Sequence, residues 1–152
     1  MAKFDKIDIR GGQMTYAQRI RLGEILTSGE KEYKIFRQIF ECLCDGYEPS
    51  YTQEELQYVM EVVEGIHYWI ERECKELSSK PSADEVAAGI HQLTNRTGYM
   101  ATLVALGEKF GCDPDEVLGW KYGKVFNILL VNKENAEFSR RYSDVLSKKK
   151  RK

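Results

Sequence analysis

The sequence predicts an all-α fold, a single-domain bundle of about six or seven helices behind a short extended N-terminal arm. Apolar residues recur three and four positions apart along most of the chain, the spacing of a buried helix face. Capping signals precede several of these segments, and no convincing sheet pattern is found. The 152 residues, 42% hydrophobic and 31% charged, suit one domain with a sizeable core. We expect an arm over 1–14, a helical domain over 15–147 with a possible subdivision near 78–82, and a disordered basic tail over 148–152.

The charge distribution makes nucleic acid a poor partner for the body of the protein. Net charge is −1, and all five final residues are basic, so the rest carries 18 basic and 24 acidic residues, a net charge of −6. A body of that sign repels phosphates. No apolar run reaches the length of a membrane span, and the N-terminus has no apolar signal segment, which predicts a cytoplasmic protein without a membrane partner.

The first half of the chain predicts three helices. Thr15 with Gln18 forms a capping box that starts the first, and the second covers about Glu30–Cys44. Thr52 starts a long helix that reaches about Leu77. One face of the second helix is expected to be buried through Tyr33, Phe36, Phe40 and Leu43.

The long third helix has two apolar stripes. We assign the first to the core: Leu56, Val59, Met60, Val63, Ile70, Cys74 and Leu77. The second stripe, which widens the apolar arc, consists of Tyr58, Val62, Ile66 and Trp69. So wide an arc indicates a central helix or an exposed patch for a partner.

The second half begins after Pro81, with Ser82 capping a helix to about Thr97 whose inward residues are Val86, Ile90 and Leu93. A shorter helix follows Gly98 and ends at Gly111. Asp113 and Pro114 start the next helix, apolar nearly all round over 117–131, where Gly119 and Gly123 leave a smooth strip for a neighbouring helix. A weakening at 132–133 precedes a last amphipathic piece with Ala136, Phe138, Tyr142 and Leu146.

No residue set predicts catalysis, a metal or a cofactor. Glu64 and His67 have the helical spacing of di-iron ligands, but His91, the other histidine, lacks a matching acid three residues before it. We therefore interpret His67 as a core histidine. The spacing of the four cysteines matches no common zinc pattern and indicates reduced, mostly buried thiols: Cys42, Cys44, Cys74 and Cys112.

Aromatic residues suit two roles near the end of the chain. Trp120, Tyr122 and Phe126 are either core residues or contacts to another helix within or between chains. With the second stripe of the long helix, they give the candidate partner-binding residues: Tyr58, Val62, Trp69, Trp120, Tyr122 and Phe126.

Two parts of the sequence resemble a known family. They are MTYAQRIRLGEIL at 14–26 with EYKIFRQIFECL at 32–43, and FGCDPDEVLGWKYGKVFNIL at 110–129. Together these 45 residues resemble small helical tail assembly chaperones encoded in phage and prophage tail-gene clusters of gut bacteria. The resemblance implies a non-enzymatic role in a bacterial host cell, holding a tail component such as the tape-measure protein before the tube assembles.

The expected mechanism is burial of a partner's apolar helix against exposed apolar side chains. Self-association and exchange of the arm between subunits are left open. The alternative is a helical regulatory or nucleic-acid-associated protein that acts through Lys148–Lys152.

Overall fold

The computed structural model describes residues 4–151, and within them the protein is all-α, which confirms the predicted fold class. In that range the strand-like pairing outside the helices is one isolated antiparallel bridge between Thr15 and Lys121. No helix of the described part is long and apolar enough to cross a bilayer. The helices are α1 (Tyr16–Thr27), α2 (Glu32–Leu43), α3 (Gln53–Arg72), α4 (Ala83–Ala87), α5 (Ile90–Thr97), α6 (Met100–Phe110), α7 (Pro114–Leu118) and α8 (Tyr122–Lys150), and a π-helical turn, Glu73–Leu77, extends α3.

The predicted helix starts are confirmed at α1, α3, α4 and α7. Thr15, Thr52 and Ser82 each accept a hydrogen bond from the backbone N–H three residues on, and the side chain there accepts one in return. Asp113 caps α7 with its carboxylate, and Pro114 takes the first helical position. These starts depend on local chemistry, so the sequence alone locates them.

The N-terminal arm covers the core and contains no strand between residues 4 and 14; residues 1–3 of the predicted arm lie outside the described residues. The Phe4 ring centroid is 5.2 Å from those of both Phe40 and Tyr58. Ile9 is buried, and its carbonyl accepts a 2.7 Å hydrogen bond from Trp69 Nε1. The arm therefore packs against its own chain.

The predicted orientation of α3 is wrong. Its buried residues belong to the second stripe and its flank: Glu55, Tyr58, Val62, Gly65, Ile66 and Trp69. Leu56, Met60 and Ile70 of the supposed core stripe are exposed, and so is His67, which is not a core histidine. The arm determines this orientation, because it crosses α3 at Gly65, where a Cβ would lie 2.7 Å from Ile9 Cγ2.

A half-buried polar contact links three elements. Arg19 of α1 donates to Glu73 of the π-helical turn through Nε and Nη2, at 3.0 and 2.7 Å. Tyr122 of α8 donates its hydroxyl to the same carboxylate. Burial first, and then the charge of Glu73, raise the pKa of Tyr122, so its hydroxyl stays a donor. This contact fixes the start of α8 against α1 and the end of α3.

The helix expected over 82–97 is divided into α4 and α5 at Ala88–Gly89. Val86 and Leu93, expected to face inward, are 46% and 58% exposed. α4 packs chiefly against α5 rather than against the rest of the bundle. The apolar side chains of α4 and α5 therefore recur at helical spacing, but Val86 and Leu93 are not buried in the core.

The last third differs from prediction in two further ways. The apolar stretch over 117–131 is not one helix, because the chain turns at Gly119–Lys121 between α7 and α8. Neither a weakening at 132–133 nor a disordered tail is found, since α8 continues to Lys150. Lys148–Lys150 lie in its last turn, where cations interact favourably with the helix dipole. Lys152 lies outside the described residues.

Candidate partner-binding groove

The residues singled out for possible catalysis do not converge. Glu64 and His67 are exposed on the outer side of α3. Within residues 4–151, no group of three or more His, Cys, Asp and Glu side chains is placed to hold a metal ion. In the described part of the chain, Glu64 and His67 therefore have no further metal ligands beside them.

The cysteines are free thiols with differing exposure. Cys44 is buried, Cys42 and Cys112 are half-buried, and Cys74 is exposed, contrary to its assignment to the core face of α3. Burial raises the pKa of Cys42 to about 11 and also raises that of Cys44. Both stay protonated at neutral pH, which makes them weak nucleophiles.

Five of the six predicted partner-binding residues lie in the core. Tyr58, Val62, Trp69, Tyr122 and Phe126 are each at most 4% exposed. The expectation that the Tyr58 stripe forms spare surface is wrong, because the arm covers it and Tyr58 Oη accepts a 3.0 Å hydrogen bond from the Ile7 N–H. For the three residues near the end of the chain, the two roles left open resolve as core for Tyr122 and Phe126, while Trp120 is half-buried at an edge.

Trp120 stands beside a large open groove between the arm, the end of α6 and the first half of α8. The groove has a volume of about 820 Å³. It is lined by the Gly11–Gln13 turn of the arm, by the end of α6 and by side chains of α8. The lining residues are Gly11, Gly12, Gln13, Lys109, Phe110, Lys121, Gly123, Lys124, Asn127, Ile128, Val131 and Asn132. We call this the lysine-edged groove.

The groove is positively charged although the protein as a whole is slightly acidic. Lys109, Lys121 and Lys124 line it, and no acidic side chain does so among the described residues. None of the three lysines forms an ion pair with any carboxylate in residues 4–151. A groove lined by apolar side chains and lysines, without an acidic side chain, favours a ligand that is apolar and carries negative charge.

Aromatic contacts hold one wall of the groove. Lys124 Nζ lies 4.4 Å from the Trp120 ring centroid, a cation–π distance. Trp120 meets Phe110 edge-to-face at 5.4 Å between centroids, and Phe110 is 48% exposed. At the end of α6, Lys109 donates to the side-chain carbonyl of Asn132. These contacts tie α6 to α8 and order side chains that a partner would touch.

The arm forms the other wall, where its backbone lies close to the backbone at the start of α8. Tyr122 N–H donates to Met14 O at 2.8 Å, and Gly123 N–H donates to Gly12 O at 3.1 Å. A Cβ on Gly12 would lie 2.7 Å from Gly123 Cα, and the φ of Gly12 is +75°, so glycine is required there. The expected approach of a helix to Gly119 and Gly123 is wrong, because a turn of the arm contacts Gly123 and a Cβ on Gly119 would meet only Glu116 O, at 3.4 Å.

Sequence reasoning found Trp120 but missed the lysines and Phe110. Phe110 and Trp120 lie ten positions apart, and the α7 turn between them brings the two rings together. The signal in the sequence was the set of lysines next to these aromatic residues, Lys109, Lys121 and Lys124. Their convergence depends on the arm and on the break before α8.

Comparison with protein families, curated proteins and solved structures finds no match to this chain.

Proposed function

We propose that this is a non-enzymatic interaction protein that holds an apolar helical segment of a phage or prophage tail component, such as the tape-measure protein. The observation that carries the proposal is the lysine-edged groove, an apolar recess of about 820 Å³. The tail context comes from the resemblance of 14–26, 32–43 and 110–129 to tail assembly chaperones. The third of these segments contains several groove residues, among them Phe110, Lys121 and Lys124.

The groove chemistry specifies the kind of segment. An amphipathic helix binds a groove through apolar anchors at i, i+3 or i+4, and i+7. Phe110, Ile128 and Val131 supply apolar contact, and Val131 is 56% exposed. Lys109, Lys121 and Lys124 would then pair with carboxylates flanking the anchors. The proposed ligand is an acidic amphipathic helix.

The nucleic-acid alternative has weaker support. Arg140, Arg141 and the basic residues 148–151 are exposed on the last part of α8. Acidic residues on the same part of the helix, Glu134, Glu137 and Asp144, reduce its attraction for a phosphate backbone. We therefore favour a protein partner bound at the lysine-edged groove over a nucleic acid bound at the end of α8.

Co-expression with the tail proteins, the tape-measure protein among them, tests the proposal. We expect a stable complex with one of them that survives affinity purification and size-exclusion chromatography. The double variant Lys121→Glu/Lys124→Glu should lose that complex, because it reverses charge at the edge and removes the cation over Trp120.

A matched control is Lys31→Glu/Lys80→Glu, which changes net charge equally at exposed positions outside the groove. It should bind like the original chain. A protein that binds no tail component, or whose complex tolerates the groove variant as well as the control, would refute the proposal.

A further inference from the structure

The last part of α8 leaves the bundle. The last anchor is Lys133, whose ammonium donates to the carbonyls of Glu76 and Ser78 at 2.9 and 3.1 Å. Beyond it, residues 134–150 are exposed apart from a half-buried Glu137. At 1.5 Å per residue this part of the helix extends about 25 Å. A helix this exposed has no contact with the core to stabilise it.

One face of α8 is apolar along this exposed part and at Val131 just before it. Val131, Phe138 and Val145 are seven residues apart, with Tyr142 between the last two, and Leu146 widens the stripe. We call these five residues the distal stripe. They are 42% to 61% exposed. The Phe138 and Tyr142 rings stack at 6.1 Å between centroids, which makes a flat aromatic surface.

The spacing of the stripe is that of paired helices. Apolar positions that alternate three and four apart repeat every seven residues and pack against a second helix with the same repeat. Asn135 and Lys149 occupy the remaining positions of this seam. Polar residues at such positions weaken the contact but fix its register.

We propose that the distal stripe binds the distal stripe of a second copy of this chain, with the two helices antiparallel. The two-fold axis then passes near residue 140, so that Phe138 of each copy packs on Tyr142 of the other. Val145 of each copy lies over Asn135 of the other. This interface uses residues outside the lysine-edged groove, except Val131 at its margin.

The charges along the exposed helix favour this direction. Before the axis, Glu134 and Glu137 outnumber Lys133, and after it the basic residues 148–151 outnumber Asp144. An antiparallel pair places Glu134 of one copy beside Lys148 of the other, twice by symmetry. A parallel pair would place the basic ends of both copies side by side. Arg141 of one copy lies near Arg141 of the other at the axis. The two Glu134–Lys148 pairs offset this repulsion.

Sedimentation of the full-length protein over a range of concentrations tests the proposal. We expect a reversible dimer of twice the 17.6 kDa chain mass. Phe138→Glu should weaken dimerisation at least about tenfold, because it places a charge at the centre of the interface. Leu93→Glu, at another exposed apolar residue, should leave it unchanged. Circular dichroism checks that both variants keep their helix content.

Charge exchange distinguishes the antiparallel direction. Glu134→Lys and Lys148→Glu should each weaken the dimer, and the double variant should restore it, because each pair is re-formed with opposite sign. A monomer at every concentration would overturn the proposal, and so would failure of the double variant to restore the dimer. A dimer that tolerates Phe138→Glu would place the interface elsewhere and overturn it equally.

Discussion

Glu55 at the start of α3 is fully buried, and its carboxylate has several hydrogen-bond donors. Tyr47 Oη donates at 2.6 Å, Thr52 N–H at 2.7 Å and Ser50 N–H at 3.1 Å. Burial opposes ionisation of this carboxyl, but the hydrogen bonds outweigh it and hold the pKa of Glu55 below its usual value of 4.5. The same contact raises the pKa of Tyr47 to about 12. One side chain thus caps the helix and ties down the loop before it.

This pairing predicts a pH-dependent contribution to stability. The pKa of Glu55 is lower in the folded state, so its contribution is present above 4.5 and is lost as pH falls through the folded value. Glu55→Gln should cost about 1–3 kcal/mol at pH 7. The buried amide NH2 of glutamine is a donor, and it would face the groups that now donate to the carboxylate. In urea unfolding, the difference between Glu55→Gln and the original chain should shrink below pH 4.5.

The exposed neighbour Glu54 is the matched control for this experiment. Its carboxylate is 71% exposed and lies 3.9 Å from Lys6, so Glu54→Gln should change stability little at any pH. A stability difference for Glu55→Gln that stays constant as pH is lowered from 7 to well below 4.5 would contradict the role assigned to this carboxylate.

At the scale of elements, what the sequence predicted was local and what it missed was long-range. Helix starts follow from a cap and the residue three positions on, and those at Thr15, Thr52 and Ser82 were predictable. The inward face of α3 depends on Ile9 and the rest of the arm, dozens of residues away. Periodicity shows that a helix has apolar stripes, but the segment that covers one of them decides which is buried. For the same reason, Tyr58 and Trp69 were mistaken for a binding surface.

The crossing of the arm over α3 gives the element-scale prediction. Gly65→Ala gains helix propensity but places a Cβ 2.7 Å from Ile9 Cγ2 and 2.9 Å from Ile9 Cβ. We expect a net loss of about 1–3 kcal/mol in the free energy of unfolding, measured in urea. An Ile9→Ala background is the control, since it removes Ile9 Cγ2, the atom nearest the new Cβ. Gly65→Ala should cost less in that background, and an equal effect in both backgrounds, or a gain in the original chain, would refute the docking of the arm.

At the scale of the whole molecule, separate segments build one binding surface. The arm supplies a backbone wall, α6 ends at Lys109 and Phe110, and α8 supplies Lys121 and Lys124. Each element was recognisable in the sequence, but their convergence was not, because it depends on the bridge between Thr15 and Lys121 and on the turn before α8. Trp120 was predicted as a contact residue, and it lies at the edge of this surface. Binding of a partner at this surface depends on the lysines and on the apolar side chains that line it.

The most direct measurement is the affinity of labelled segments, tiled along the tape-measure protein, for the purified chain by fluorescence anisotropy. Acidic amphipathic segments should bind, and added salt should weaken their binding. Lys121→Glu/Lys124→Glu should weaken it at least about tenfold, while Lys31→Glu/Lys80→Glu should not. Absence of binding by every segment, or equal binding by the groove variant, would contradict the central claim.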